Sequence, residues 1–201
     1  MKQTWPLKLA TLGLLTMVSS AQAEVFHTAR TLKPGAFSLG IEPQVYLSNP
    51  PTSVLNLHGG AGLAQGIDLR LKLGLPLPGS YAPADLGGDV EFLLLPDAPG
   101  SPALSFAVGA HSEAWRAFEL DFCFLVSKVL RRVEPYGGID ADLSLPPYEA
   151  VKPYLRLVGG LNIHLARVSE LMLEIAFPFP GTSGYPVEDG AYLSAGINFY
   201  L

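Results

Sequence analysis

Acidic residues recur at alternate positions inside otherwise apolar stretches of this 201-residue chain: Glu42, Asp68, Asp89, Glu91, Glu119, Asp121, Glu134, Asp140, Asp142 and Glu174. Arg70, Lys72, Lys152 and Arg156 occupy the same kind of position. Side chains of a strand alternate between its two faces, so charges spaced by two share one face and one compartment. Carboxylates outnumber cations in that set by about ten to four, and a wetted compartment of this kind would favour cations over anions. The same residues could instead pair with one another and fill the compartment as a polar core. The spacing supports both readings.

His111-Ser112-Glu113 is the one local arrangement that suggests nucleophilic chemistry, a serine activated by a neighbouring histidine for hydrolysis of a lipid ester. Adjacent strand residues point to opposite faces, which opposes a shared proton, although the pair lies where a strand is expected to end. The chain has no Walker loop, no H-E-x-x-H and no G-x-S-x-G; Gly181-Thr182-Ser183-Gly184 lacks the last spacing and reads as loop. His27, His58, His111 and His164 are too far apart for the short spacing of a zinc site, so no metal and no cofactor is expected. Cys123 is the only cysteine, which excludes an intramolecular disulfide. With no activating neighbour in sequence, it is expected to line a wall rather than to react.

Elements that could position these residues appear as about ten segments of period two, separated by turn chemistry. Their approximate spans are 36–47, 54–64, 67–75, 87–95, 103–111, 118–126, 133–145, 151–164, 171–177 and 191–201. The third is the clearest, with Ile67, Leu69, Leu71, Leu73 and Leu75 alternating with Asp68, Arg70, Lys72 and Gly74. The sixth could be a helix, since Phe118 to Leu130 lacks Gly and Pro, but Phe118, Leu120, Phe122 and Phe124 alternate with Glu119, Asp121 and Cys123 as in a strand. A soluble sandwich could contain one such strand; ten in succession are harder to explain that way. Gly59-Gly60, Gly137-Gly138 and Gly159-Gly160 fall inside segments, where they relieve curvature.

Apolar residues make up 49% of the chain, yet beyond the first segment nothing offers ~20 of them in a row. Distributed at period two, they suit a transmembrane β-barrel, with one face toward lipid and the other toward the lumen. Lys2 and Lys8 flank a short apolar run, Leu9 to Val18, followed by Ser19-Ser20-Ala21-Gln22-Ala23. That is the layout of a cleavable signal peptide over 1–23, leaving a mature chain from Glu24. The run is too short for a membrane anchor, and no cysteine stands at the cleavage site for lipidation. Removing Lys2 and Lys8 takes the net charge from −5 to about −7, which gives no reason to expect nucleic acid as a partner.

The last residues, Ser194-Ala195-Gly196-Ile197-Asn198-Phe199-Tyr200-Leu201, continue an alternating strand to an apolar end. Soluble proteins rarely leave such an edge unprotected. Ser194, Gly196, Phe199 and Leu201 resemble the carboxy-terminal assembly signal of outer-membrane β-barrels, which more often ends in Phe. With the export signal, the alternation and the loop pattern, the chain over 24–201 resembles the small outer-membrane β-barrel proteins of Gram-negative bacteria. The resemblance implies an all-β, antiparallel, up-and-down transmembrane barrel, placed in the outer membrane by the barrel-assembly machinery and surrounded by its lipids.

An even strand count puts both ends on the periplasmic side. The first, third, fifth, seventh and ninth connections, 48–53, 76–85, 112–116, 146–149 and 178–188, then face outward; they include the two longest and carry Tyr81, Trp115, Tyr148 and Tyr185 near an aromatic girdle. No connection is long enough for a lid or a separate plug. The expected role is structural, or a narrow passive pore for small cations. Lipid hydrolysis through His111 and Ser112, or adhesion through the Pro-rich outer loops, are the alternatives, because one architecture hosts many functions.

Overall fold

A computed structural model describes residues 27–80, 82, 84–113, 117–145, 152–179 and 190–201. The 1–23 leader, and Tyr81, Trp115, Tyr148 and Tyr185 of the expected girdle, lie outside the described residues. Ten strands form: β1 (Phe37–Tyr46), β2 (Thr52–Ala64), β3 (Ile67–Pro76), β4 (Asp85–Leu95), β5 (Ala103–Glu113), β6 (Ala117–Ser127), β7 (Val133–Ser144), β8 (Lys152–Ala166), β9 (Ser169–Pro178) and β10 (Tyr192–Tyr200). Each pairs antiparallel with the next, and β1 pairs with β10, so the sheet closes into an up-and-down barrel. Closure satisfies the backbone groups that two edge strands would leave bare. At the seam, Leu201 N–H donates to the Phe37 carbonyl at 2.9 Å and Phe37 N–H returns to Leu201 at 3.2 Å.

The expected segments all appear, with ends displaced by a few residues. β2 begins at Thr52 and β4 at Asp85, taking in residues read as loop, and β5 runs on through Ser112 to Glu113. The sixth segment is a strand throughout.

Alternation sorts the residues as the pattern requires. On β3, Leu71 is 57% exposed while Lys72 beside it is 7% exposed; on β1, Ile41 is 43% exposed and Glu42 fully buried. Large apolar side chains from all ten strands face outward, among them Leu39, Leu57, Phe92, Val108, Phe124, Ile139, Leu157, Leu173 and Leu193. Buried positions hold carboxylates, amides, hydroxyls and guanidinium instead. Soluble folds have the reverse arrangement, and a continuous apolar exterior on this scale marks contact with a non-aqueous phase or a partner.

At one rim, here called the turn rim, strands join through short connections. Gly66 (φ 76°) lies in the β2–β3 turn and Arg131 (φ 59°) in the β6–β7 turn. Lys128 holds the β4–β5 turn, donating to Asp97 at 2.7 Å, to the Ser101 carbonyl at 3.0 Å and to the Ala98 carbonyl. The opposite, loop rim carries the two longest connections, β3–β4 and β9–β10.

The interior is occupied from the turn rim by chain that precedes β1, a stretch to which the sequence pattern assigns no element. Residues 27–33 form a strap inside the barrel, with Ala29 fully buried and Thr28 6% exposed. Gly62 permits its approach, since a Cβ there would run into the Lys33 carbonyl. Gly35, at φ 80°, turns the chain from the strap into β1, and its N–H donates to the Gly62 carbonyl at 2.8 Å. Nothing between residues 27 and 36 alternates, so periodicity had nothing to detect.

Candidate functional site in the barrel lumen

The lumen is organised in three levels. Toward the loop rim, Arg156 on β8 is 1% exposed, and its Nη2 donates to Asp140 at 2.6 Å and to Asp142 at 2.7 Å, both on β7. The guanidinium carbon lies 5.3 Å from the Tyr154 ring centre and 5.9 Å from that of Tyr192. A buried cation thus has two carboxylates and two aromatic faces, which together offset its desolvation. His111 on β5 meets two acids of β6: Asp121 lies 2.8 Å from Nδ1 and Glu119 3.2 Å from Nε2. Asp85 is 2% exposed, and neither of its carboxylate oxygens has a hydrogen-bond partner among the described residues.

At the waist, Glu42 meets His58 at 2.7 Å, and Arg70 meets Glu91 directly and Asp89 at 3.8 Å. Glu174 accepts from Tyr136 at 2.7 Å and from Tyr192 at 2.6 Å. Leu125, Val158 and Met172 also face inward here, so the inner face is not uniformly polar.

At the turn rim the strap completes the network. Arg30 Nε lies 2.7 Å from Glu134 and Nη2 3.3 Å from Glu170. The Leu32 N–H donates to Asp68 at 2.6 Å. Glu170 also accepts from Tyr200 at 2.6 Å and Asn162 at 2.5 Å, and Glu134 from Ser127 at 2.7 Å. His27 stands 3.9 Å from Glu91. Burial first, and then Arg70, hold its imidazole well below the ordinary range, which keeps the ring neutral. Between strap and wall remains a cavity of about 420 Å³, whose lining includes His58, Asp68, Arg70, Lys72, Asp121 and Glu170.

Of the fourteen charged positions read from the sequence, thirteen have described side chains, and all of these stand on the inner face: Glu42, Asp68, Arg70, Lys72, Asp89, Glu91, Glu119, Asp121, Glu134, Asp140, Asp142, Arg156 and Glu174. Lys152 occupies the first position of β8, paired in register with Ser144. Of the terminal pattern, Ser194 faces inward, Phe199 is 48% exposed outward and Leu201 is 77% exposed. Asp85 and Glu170 belong to the inner set but were missed, because their segments were begun two and one residues too late. The same alternation, extended to Asp85-Leu86-Gly87 and to Glu170-Leu171-Met172, would have found them.

The His111–Ser112 pair is separated by the sheet. Both lie inside β5; His111 is 1% exposed in the lumen, whereas Ser112 pairs in register with Leu86 and Phe118, which are exposed outside. The two side chains do not share a compartment, so no serine–histidine dyad forms. Among the described residues no group of His, Cys, Asp and Glu is arranged to hold a metal ion. Cys123 is buried on the inner face of β6.

The sequence matches no protein-family model and no curated protein sequence. In three dimensions the chain is similar to an outer-membrane channel of Pseudomonas putida F1 (10% identity, TM-score 0.47, covering 90% of this chain and 100% of that one). It is also similar to the translocator domain of the autotransporter NalP from Neisseria meningitidis (9% identity, TM-score 0.45, 85% and 90%). The amino-terminal barrel of Pseudomonas aeruginosa OprF is a third (10% identity, TM-score 0.40, 85% and 100%). The likeness is one of fold, at 9–10% identity.

Proposed function

We propose that this chain is an integral outer-membrane β-barrel protein with a closed, ion-paired interior, serving as a structural element of the envelope. The observation that carries this reading is the inversion of the fold: an apolar exterior on all ten strands around a core of buried charges. Water would penalise that exterior, whereas a bilayer requires it, and a bilayer also requires the closed ladder. Residues 1–23 fit the export leader and 24–201 the inserted domain. Ser194, Gly196, Phe199 and Leu201 fit the signal read by the assembly machinery. Supporting the structural role are the strap and the paired side chains, which lie across a lumen that ten strands leave narrow.

Carboxylates exceed fixed cations in that lumen, so any residual path passes small cations in preference to anions. Cell fractionation with heat-modifiable migration in gels tests insertion, and planar-bilayer recording tests the closed state. Folded protein in the outer-membrane fraction with little or no conductance is the expected pair of results. Recovery as a folded, water-soluble protein would overturn the reading.

A further inference from the structure

At the turn-rim mouth of the lumen, Arg30 of the strap lies between two carboxylates of the wall, Glu134 and Glu170. Glu134 is fully buried and Glu170 is 7% exposed, and each is oriented by wall residues: Ser127 for the first, and for the second Tyr200 and Asn162 on Oε2 with His164 Nδ1 at 2.6 Å from Oε1, the oxygen that Arg30 also meets. Neither acid depends on the strap for its placement. What they grip is a guanidinium from outside the barrel wall, Arg30, whose side chain is 38% exposed and therefore open to exchange. Two further acceptors, Asn162 Oδ1 on the amide that holds Glu170 and Asp68 Oδ1 on the carboxylate that takes the Leu32 N–H, have no hydrogen-bond partner among the described residues, although both residues are 1% exposed. Both residues line the 420 Å³ cavity next to the strap. Unmet, buried acceptors beside two oriented carboxylates call for a ligand rich in N–H donors, and a guanidinium carries five in a planar fork.

We propose that Glu134 and Glu170 form a guanidinium-binding site at the lumen mouth, which the chain fills with its own Arg30 and for which a soluble guanidinium compound competes. Losing Arg30 leaves the strap held by backbone contacts, chiefly Leu32 to Asp68, so an occupied competitor site loosens the plug. This deepens the closed-barrel reading above and rests on it for the word plug, but its test needs no membrane. Cys123 supplies the reporter. It is the only cysteine, it faces the lumen, and Asp121, two positions away on the same face of β6, lines the cavity.

The experiment uses detergent-folded protein, argininamide as the ligand, and a cationic thiol reagent whose reaction with Cys123 is timed. In the unaltered protein, argininamide raises the Cys123 reaction rate saturably, while lysinamide and sodium chloride at the same ionic strength raise it much less. Arg30→Ala gives the fast rate without ligand and binds argininamide in calorimetry; adding Glu134→Gln weakens that binding about tenfold, the loss of a charge-assisted hydrogen bond. Equal effects of argininamide, lysinamide and salt would reduce the site to screened charge and overturn the proposal. So would an Arg30→Ala protein that binds no argininamide. The competition on unaltered protein stands even where the variant does not fold. If the barrel proves not to reside in a membrane, fractionation fails while these rates still decide the site.

Discussion

Tyr136 and Gly160 face each other in register across the β7–β8 ladder, and the tyrosine ring lies over the space that a side chain at 160 would need. The ring is held there by its hydroxyl, which donates to Glu174 at 2.7 Å. Gly159, the next residue, is on the outer face, where a Cβ would meet only the Tyr136 carbonyl oxygen at 3.9 Å. The two neighbouring glycines therefore differ in consequence. Gly160→Ala should cost roughly 1–3 kcal/mol by overpacking against Tyr136 and the Leu173 carbonyl. Gly159→Ala should leave the urea midpoint nearly unchanged. Equal midpoints for the two variants would show that the ring does not occupy this space.

Leu71 and Arg70 test the assignment of faces. A charge placed mid-membrane on the lipid face of a barrel costs about 2–4 kcal/mol, so Leu71→Arg should lower the yield of inserted protein. Arg70→Leu should still insert, but it strips the cation from Glu91 and lowers stability. Removing that unpaired charge as well, with Glu91→Gln, should recover part of the loss. Insertion yield and unfolding in urea, measured on all three, separate the two effects, and equal insertion by Leu71→Arg and the parent would invert the faces.

Arg156 is shared by two acids, so its removal should be felt strongly. Arg156→Leu leaves Asp140 and Asp142 side by side without their common cation, a loss of about 3–5 kcal/mol for a buried pair broken on one side. Arg156→Leu combined with Asp140→Asn and Asp142→Asn should regain most of it. Arg156→Lys keeps the charge but loses the planar group stacked near Tyr154 and Tyr192, and should fall between. A triple variant no more stable than Arg156→Leu would show that the charges are not what the arginine balances.

Selectivity should be read at Asp85 rather than at Asp140 and Asp142. The latter two share Arg156 as their common cation, so neutralising both would strand it. Asp85 has no hydrogen-bond partner among the described residues and leaves its charge to the lumen. In the Arg30→Ala background, reversal potentials across a salt gradient should show cation preference, diminished by Asp85→Asn and by high salt. Anion preference in that background would contradict the acidic lumen.

Sequence reading reached the wall of this barrel but not its contents. The faces were legible because period-two alternation is local: Asp68, Arg70 and Lys72 declare their side by spacing alone. Strand ends were less so, since Asp85 and Thr52 carry turn-type chemistry although they lie in the ladder. Pairings inside the lumen depend on register and on curvature around ten strands, which no window of sequence contains. The strap is the extreme case. Arg30 meets Glu170 across 140 residues, from a stretch that precedes the first alternating segment. That His111 and Ser112 are split by the sheet was foreseeable from alternation, but only once β5 was known to continue past them.

The same alternation decides how the chain can travel before it folds. In the linear chain Leu69-Arg70-Leu71-Lys72-Leu73 sets a charge between successive leucines, and no later stretch reaches the run of ~20 apolar residues that would lodge in a bilayer as a helix. The greasy girdle is absent from the linear polymer and comes into being only when the ladder closes. A polypeptide built this way can cross one membrane as a thread without being arrested, and still become insoluble in water on reaching its final shape. Hydrophobicity is here a property of the closed ring, withheld until the last strand meets the first.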